Sequence, residues 1–300
     1  MIYGGGSART FRAFNTVLLL GVLVATLYPL WHVLMVSFSD PLAVMGGQVS
    51  LLPVGFELAS YESIVSEPRF WTGYASTLRY TVSGVLVSVM MTTACAYALS
   101  KKRLKGRKIL MVLIIVTMFF NGGLIPRYLL VRGLGLFDTL WAIVLPIAIV
   151  PFNMILMRVF FEQLPESLED SAKIDGANDI QILMRVYAPL SKPIVATIAL
   201  FYAVDYWNLW FPALIYLNDP NLHPVTLFLR NIVEGAELKL KSGRVDLDSL
   251  DVYRYQDVIP RTLKSATIVL VVVPILLVYP FVQRYFVKGI MLGSLKGGAL

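Results

Sequence analysis

The sequence predicts an all-α membrane protein with six transmembrane helices, a prediction that rests on three observations. Of 300 residues, 57% are apolar and only 15% charged, where soluble chains carry roughly one-quarter charged residues. The apolar residues gather into runs, and the mean hydropathy of the whole chain is +0.70. Lys and Arg sit at the ends of those runs. A helix needs about 20 apolar residues to cross the hydrocarbon core, where each backbone group must find its partner within the protein. That criterion predicts spans over 16–38, 74–100, 109–125, 139–161, 193–217 and 266–286, within a single membrane domain over 1–300. The third is the shortest and ends in Asn121-Gly122-Gly123. The first run is too long and too late for a cleaved signal peptide, so the chain is expected to keep it.

Orientation follows from the flanking charges, because short loops rich in Lys and Arg stay on the cytoplasmic side. Arg9 and Arg12, the cluster Lys101, Lys102, Arg103, Lys105, Arg107 and Lys108, and Arg284, Lys288 and Lys296 all fall on one side if both termini are cytoplasmic. The net charge of +7 is thereby accounted for by topology, and no nucleic-acid partner is expected. The two long segments 39–73 and 218–263 fall outside. A lone cysteine, Cys95, excludes an intramolecular disulfide, and with only His32 and His223 a Cys/His zinc cage cannot be assembled. No Gly-x-x-x-x-Gly-Lys-Ser/Thr loop occurs, so no phosphate cradle for ATP is expected in this chain.

The segment 162–192, between the fourth and fifth spans, is the most informative. Pro165 followed by Glu166 opens a helix, with acids in the first turn where the helix dipole favours them. Glu169 and Lys173 form an i,i+4 pair in the favourable order. Gly176 interrupts the pattern, 179–184 resumes it, and Pro189 and Pro193 are expected to end it. Two short helices meeting at a glycine make a protrusion from the membrane.

This stretch resembles the EAA motif of ABC-importer permeases. Glu169-Asp170-Ser171 stands where Glu-Ala-Ala is usual, Gly176 follows seven residues after the Glu, and Val186-Tyr187-Ala188-Pro189 occupies the closing positions. Ile174-Asp175-Gly176-Ala177 and Pro189-Leu190-Ser191-Lys192-Pro193 resemble the carbohydrate-uptake (MalG-like) permeases. Leu27-Tyr28-Pro29, Leu134-Gly135-Leu136, Trp207-Asn208 and the tail Tyr279 to Gly289 extend the likeness over nearly the whole chain, and the tail is similar to the LplC-type branch. The resemblance implies a type I ABC importer permease fold in the bacterial inner membrane that makes no chemical change itself. Its implied partners are a homologous second permease, two ABC ATPase subunits that bind ATP and Mg, and an extracytoplasmic solute-binding protein. The implied cargo is an oligosaccharide, with acidic glycans such as alginate first among the candidates. It further implies that Glu169, Asp170, Ser171, Ala172, Asp175, Gly176 and Ala177 dock on the ATPases, Glu169 as an ionic or hydrogen-bonding contact and Gly176 as the bend.

Within the spans, ionisable groups cost several kcal/mol and mark pathways or partners. Asp205 lies among Tyr206, Trp207, Asn208 and Trp210, whose flat faces and amide suit a sugar. These four residues are candidates for the substrate path; the competing reading is an interfacial aromatic belt with Asn208 bonded to another helix. Asp205 is expected in a structural ion pair, with Arg79 as candidate partner, and His32 as a packing residue. Arg127 and Arg132, on the outer side, suit either an anionic saccharide or lipid phosphate. An ion-coupled secondary transporter, with Asp205 as its coupling site, is the alternative to an ATP-driven importer.

Overall fold

Among the described residues two unbroken helices are long and apolar enough to cross a membrane, Thr10–Ser37 and Pro68–Ser100. The computed structural model describes residues 6–232 and 261–277, and every regular element among them is helical. The chain divides into two units, Met1–Pro68 with Leu229–Val273, and Arg69–Phe228 with Pro274–Leu300.

In the first unit, α1 (Gly6–Ser37) carries Pro29 in its interior, and none of its most apolar window is buried. Only its C-terminal end packs, where Met35 and Val36 meet Val44 and Val49. The segment that follows, expected as an outer stretch, is folded. Asp40 caps α2 (Pro41–Met45) by accepting from the Ala43 N–H at 3.2 Å. Phe38 stacks on Tyr61 of α3 (Ala59–Val65), with ring centroids 5.0 Å apart, and the Tyr61 hydroxyl is 2.7 Å from Ser37 Oγ. Gly55 has φ +65° and a Cβ there would lie 2.8 Å from Asp40 Cβ, so the turn requires glycine twice over. Ser60 Oγ donates to Thr262 Oγ1 at 3.0 Å, joining α3 to the helix that occupies 261–277.

The second unit is built on α4 (Pro68–Ser100), which buries a stripe of small and hydroxyl residues: Gly73, Thr77, Gly84, Ser88, Thr92 and Ala96. Such a stripe lets another helix approach closely, and packing of this kind holds helices together where no hydrophobic effect separates protein from lipid. The remaining expected spans are broken. α5 (Arg107–Phe119) stops where Asn121 Oδ1 accepts from the Gly123 N–H, Gly123 takes φ +86°, and α6 (Leu124–Gly133) leaves at 117°. Thirteen helical residues reach only about 20 Å at ~1.5 Å per residue, short of the roughly 30 Å core. The fourth span runs as α7 (Leu140–Val144), a 3-10 turn over Leu145–Ile147 and α8 (Pro151–Glu162), with a 53° bend between the halves.

After α8 come α9 (Glu166–Ile174), α10 (Asp179–Ile182), a π-helical turn over Leu183–Tyr187, α11 (Ala188–Leu190) and, turned by 87°, α12 (Lys192–Trp207). As expected of Pro189, the helix ends one residue beyond it, at Leu190; Pro193, expected to close the segment, instead stands in the first turn of α12, where its missing N–H is no loss. Within the expected fifth span, 193–217, α12 ends at Trp207, and α13 (Phe211–Tyr216), with Pro212 in its first turn, follows a short break. Of the expected sixth span, 266–277 is helical, and the rest lies outside the described residues, as does most of 218–263.

Two tyrosines one turn apart on α12 close these breaks. Tyr202 OH accepts from the Val150 N–H at 2.9 Å and pairs with Thr92 Oγ1 at 2.7 Å. Tyr206 OH donates to the Val144 carbonyl at 3.1 Å and lies 2.9 Å from Ser88 Oγ. The backbone groups freed at the bend of α7 into α8 thus find partners on α12, as a membrane interior demands.

Candidate functional site

The sequence places six cations between 101 and 108 and a run of carboxylates between 162 and 179; the fold brings them face to face. α4 ends at Ser100, and the residues that follow reach the 162–179 segment one after another. Lys101 bonds Glu169, Lys102 bonds Glu166 at 2.7 Å, Arg103 bonds Asp179, and Arg107 bonds Glu162. Glu169 also receives Lys173 Nζ at 2.5 Å, the expected i,i+4 pair, with Arg103 at 3.6 Å and the Tyr187 hydroxyl at 3.3 Å.

Burial separates these contacts. The Lys101 and Glu169 side chains are 11% and 10% exposed, against 81% and 76% for Lys102 and Glu166. Lys101 Nζ sits 4.1 Å from the ring centroid of Tyr97 and 3.8 Å from that of Tyr187, a cation–π cage. Burial alone would raise the Glu169 carboxyl; hydrogen bonds and charge from Lys101 and Lys173 outweigh it and bring the carboxyl down to about 2. Lys101 moves down as well, because burial outweighs the pull of Glu169. The asymmetry is physical, since one carboxylate has several cations while Lys101 has only a shared carboxylate. Burial, reinforced by Glu169, pushes the Tyr187 hydroxyl up to about 12.

Glu169, expected at the surface of the protrusion, is therefore occupied inside it. The other residues of the motif divide by exposure. Asp170, Ser171, Asp175 and Gly176 are exposed, while Ala172 and Ala177 are half-buried and pack on the core. Gly176 has φ +79° and nothing within 4 Å of its Cβ position, so its backbone requires glycine although its surroundings do not crowd it. Sequence reasoning missed two prominent apolar residues beside them, Ile174 at 86% exposure and Ile180 at 74%. α10, which carries Ile180, opens with a capping box, Asn178 accepting from the Gln181 N–H and Gln181 from the Asn178 N–H, both at 2.9 Å.

The aromatic group on α12 does not form one surface. Tyr206 is buried at 1% exposure with its hydroxyl doubly engaged, which makes it a packing residue in this conformation. Asn208 bonds its own helix, Nδ2 donating to the Val204 carbonyl at 2.9 Å, and Trp210 packs edge-on against Phe211. Trp207 meets Tyr74 edge-on and lines a cavity of about 780 Å³ together with Asp205, Asn153, Thr81 and Phe152. The expected ion pair between Asp205 and Arg79 is not formed; the carboxylate lines that cavity instead. His32, expected as a hydrogen-bonded packing residue, stacks on Tyr28 at 6.0 Å, but its Nδ1 is buried without a hydrogen-bond partner.

Comparison with known proteins accords with this architecture. Protein LplC of Bacillus subtilis (strain 168) is 41% identical over 97% of this chain and 96% of its own length. The polygalacturonan/rhamnogalacturonan transport system permease protein YtcP of the same organism is 42% identical over 93% of this chain and 96% of its own. A chain in the crystal structure of a bacterial ABC transporter involved in the import of the acidic polysaccharide alginate superposes with a TM-score of 0.84 at 38% identity, covering 95% of this chain and all of that one. The description of a binding-protein-dependent transport system inner membrane component matches residues 70–292. Together these place the chain in that family of inner-membrane transport permease subunits, which are not enzymes.

Proposed function

We propose that the chain passes an acidic oligosaccharide, alginate or a pectin fragment, into the cytoplasm as one half of an ATP-driven importer channel. The observation that carries the reading is likeness over the whole chain, 95% covered at a TM-score of 0.84. The cargo named for that structure and for the 42% identical relative is in each case an acidic polysaccharide. The other half is a homologous permease. An extracytoplasmic binding protein delivers the glycan, and two ATPase subunits hold ATP and Mg. Family membership favours this over ion coupling, for which Asp205 is the only motive.

The protrusion of α9 and α10 is the docking surface for the ATPases. Ile174 and Ile180 supply the exposed apolar contact, flanked by Asp170, Ser171 and Asp175, with Ala172, Gly176 and Ala177 allowing close approach. Exposed apolar side chains rimmed by polar ones are the usual form of such a surface. On the substrate side, Trp207, Asp205 and Asn153 at the 780 Å³ cavity, with Trp210 and Asn208 nearby in sequence, contribute to the path.

The deciding experiment is ATP hydrolysis by the assembled complex in liposomes, with its binding protein and a panel of neutral and uronic oligosaccharides. Stimulation by uronic glycans alone is expected. Stimulation by neutral sugars alone would overturn the cargo, and uptake driven by an ion gradient without ATP would overturn the importer class. Ile174→Glu with Ile180→Glu is expected to release the ATPases from the purified complex.

A further inference from the structure

The five ion pairs between 101–107 and 162–179 are unequal. Exposed pairs are screened by solvent and salt, so Lys102–Glu166 and Arg103–Asp179 fix little. Lys101–Glu169 is buried and enclosed by two aromatic rings, and Phe161 packs edge-on against one of them, Tyr187, with centroids 5.6 Å apart. Lys101 follows the last residue of α4, and Glu169 is in the middle of α9. Close by, Arg158 of α8 donates through Nε to the Leu99 carbonyl at 3.1 Å and pairs with Glu162 at 2.7 Å. The end of α4 is therefore held to α8 and α9 by charges that are each paired, although the Tyr97 hydroxyl beside them is buried without a hydrogen-bond partner.

We propose that Lys101 is a positioning residue that clamps α9 to the end of α4, so that displacement of α9 by an ATPase is delivered to α4 as motion of one body. The inference rests on α9 and α10 being the docking surface. It assigns Glu169 to the inside of the joint, where its partner is a lysine of the same chain, and leaves the outer contact to Asp170, Ile174 and their neighbours. α4 is the helix whose Gly84, Ser88 and Thr92 receive the two α12 tyrosines, so a displaced α4 reaches the broken spans through contacts already made.

The test uses the complete complex in liposomes and reads glycan uptake per ATP hydrolysed. Lys101→Met is expected to lower that ratio about tenfold, the size of an ordinary coupling between two sites, with the ATPases still bound. Lys101→Arg is expected to restore most of it, and Lys105→Gln, an exposed neighbour, to leave it unchanged. A Lys101→Met ratio within twofold of wild type overturns the proposal. Should Lys101→Met fail to assemble, a second measurement decides. In a Cys95→Ala background, Lys102→Cys and Glu166→Cys are joined by a short, reducible thiol cross-linker. One-body motion predicts undiminished uptake with the tether in place; uptake lost on tethering and regained on reduction overturns it. Loss of the docking reading is distinguishable, since Ile174→Glu with Ile180→Glu would then leave the ATPases attached.

Discussion

Glu169 shows how one carboxylate can carry a pH dependence. The carboxyl ordinarily titrates near 4.5 and is drawn down to about 2 in the fold. A group whose folded pKa is depressed contributes stability that is complete above its unfolded value and is lost as pH falls through the folded one. Glu169→Gln is therefore expected to cost about 3 kcal/mol at neutral pH, the scale of breaking a buried pair from one side. The difference from wild type should close between pH 4.5 and about 2. Thermal unfolding in detergent across that range measures it, and a difference that stays constant down to pH 2 would show that another group carries the effect. The sequence gives the residue's place in a motif and its i,i+4 partner Lys173, but not Lys101, which lies 68 positions away. Lys101 reads in sequence as one of six topology charges, because nothing local marks it as the one that turns inward between two tyrosines.

At the scale of elements, α4 and α12 meet through glycine and hydroxyls rather than through bulk. A Cβ added at Gly84 would fall 2.5 Å from the Tyr206 ring, so Gly84→Ala must displace an aromatic that also serves the bend of α7 into α8. The expected cost is about 1–3 kcal/mol, the range for overpacking a filled interior. Tyr206→Phe removes only the hydroxyl and should cost about 1 kcal/mol, in line with hydrogen bonds measured between membrane helices. Thermal unfolding of the two variants tests the order, and Tyr206→Phe proving the worse would mean that the bonds, not the close approach, hold the pair. Hydropathy made the long helices legible because it registers only the solvent. It could not register the breaks at 120–123, 148–150 and 208–210, because those depend on prolines, glycines and distant hydroxyls acting together. Pro193 misled for a related reason, since a proline read as a stop also suits the first turn of the next helix.

At the scale of the molecule, opposite charges gather beyond one end of the α7–α8 path. The cations of 101–107 face the carboxylates of 162–179 beyond one end of α8. At the other end of the α7–α8 path, Asp138, held at φ +60°, accepts from the Asn218 and Asp219 N–H groups at 2.9 and 3.1 Å. On the positive-inside trend 101–107 is expected on the cytoplasmic side and 218–219 on the outer side. In a Cys95→Ala background, Lys105→Cys should react with an impermeant thiol reagent only in inside-out vesicles, and Asn218→Cys only in right-side-out ones. The reverse pattern would invert the topology.

α1 has one more consequence. Its most apolar window buries nothing within this chain, so the contacts of the described residues do not hold that part of the helix in place. Its surface is left for acyl chains or for an apolar face of another subunit, and its own backbone bonds keep it helical whichever of the two it meets.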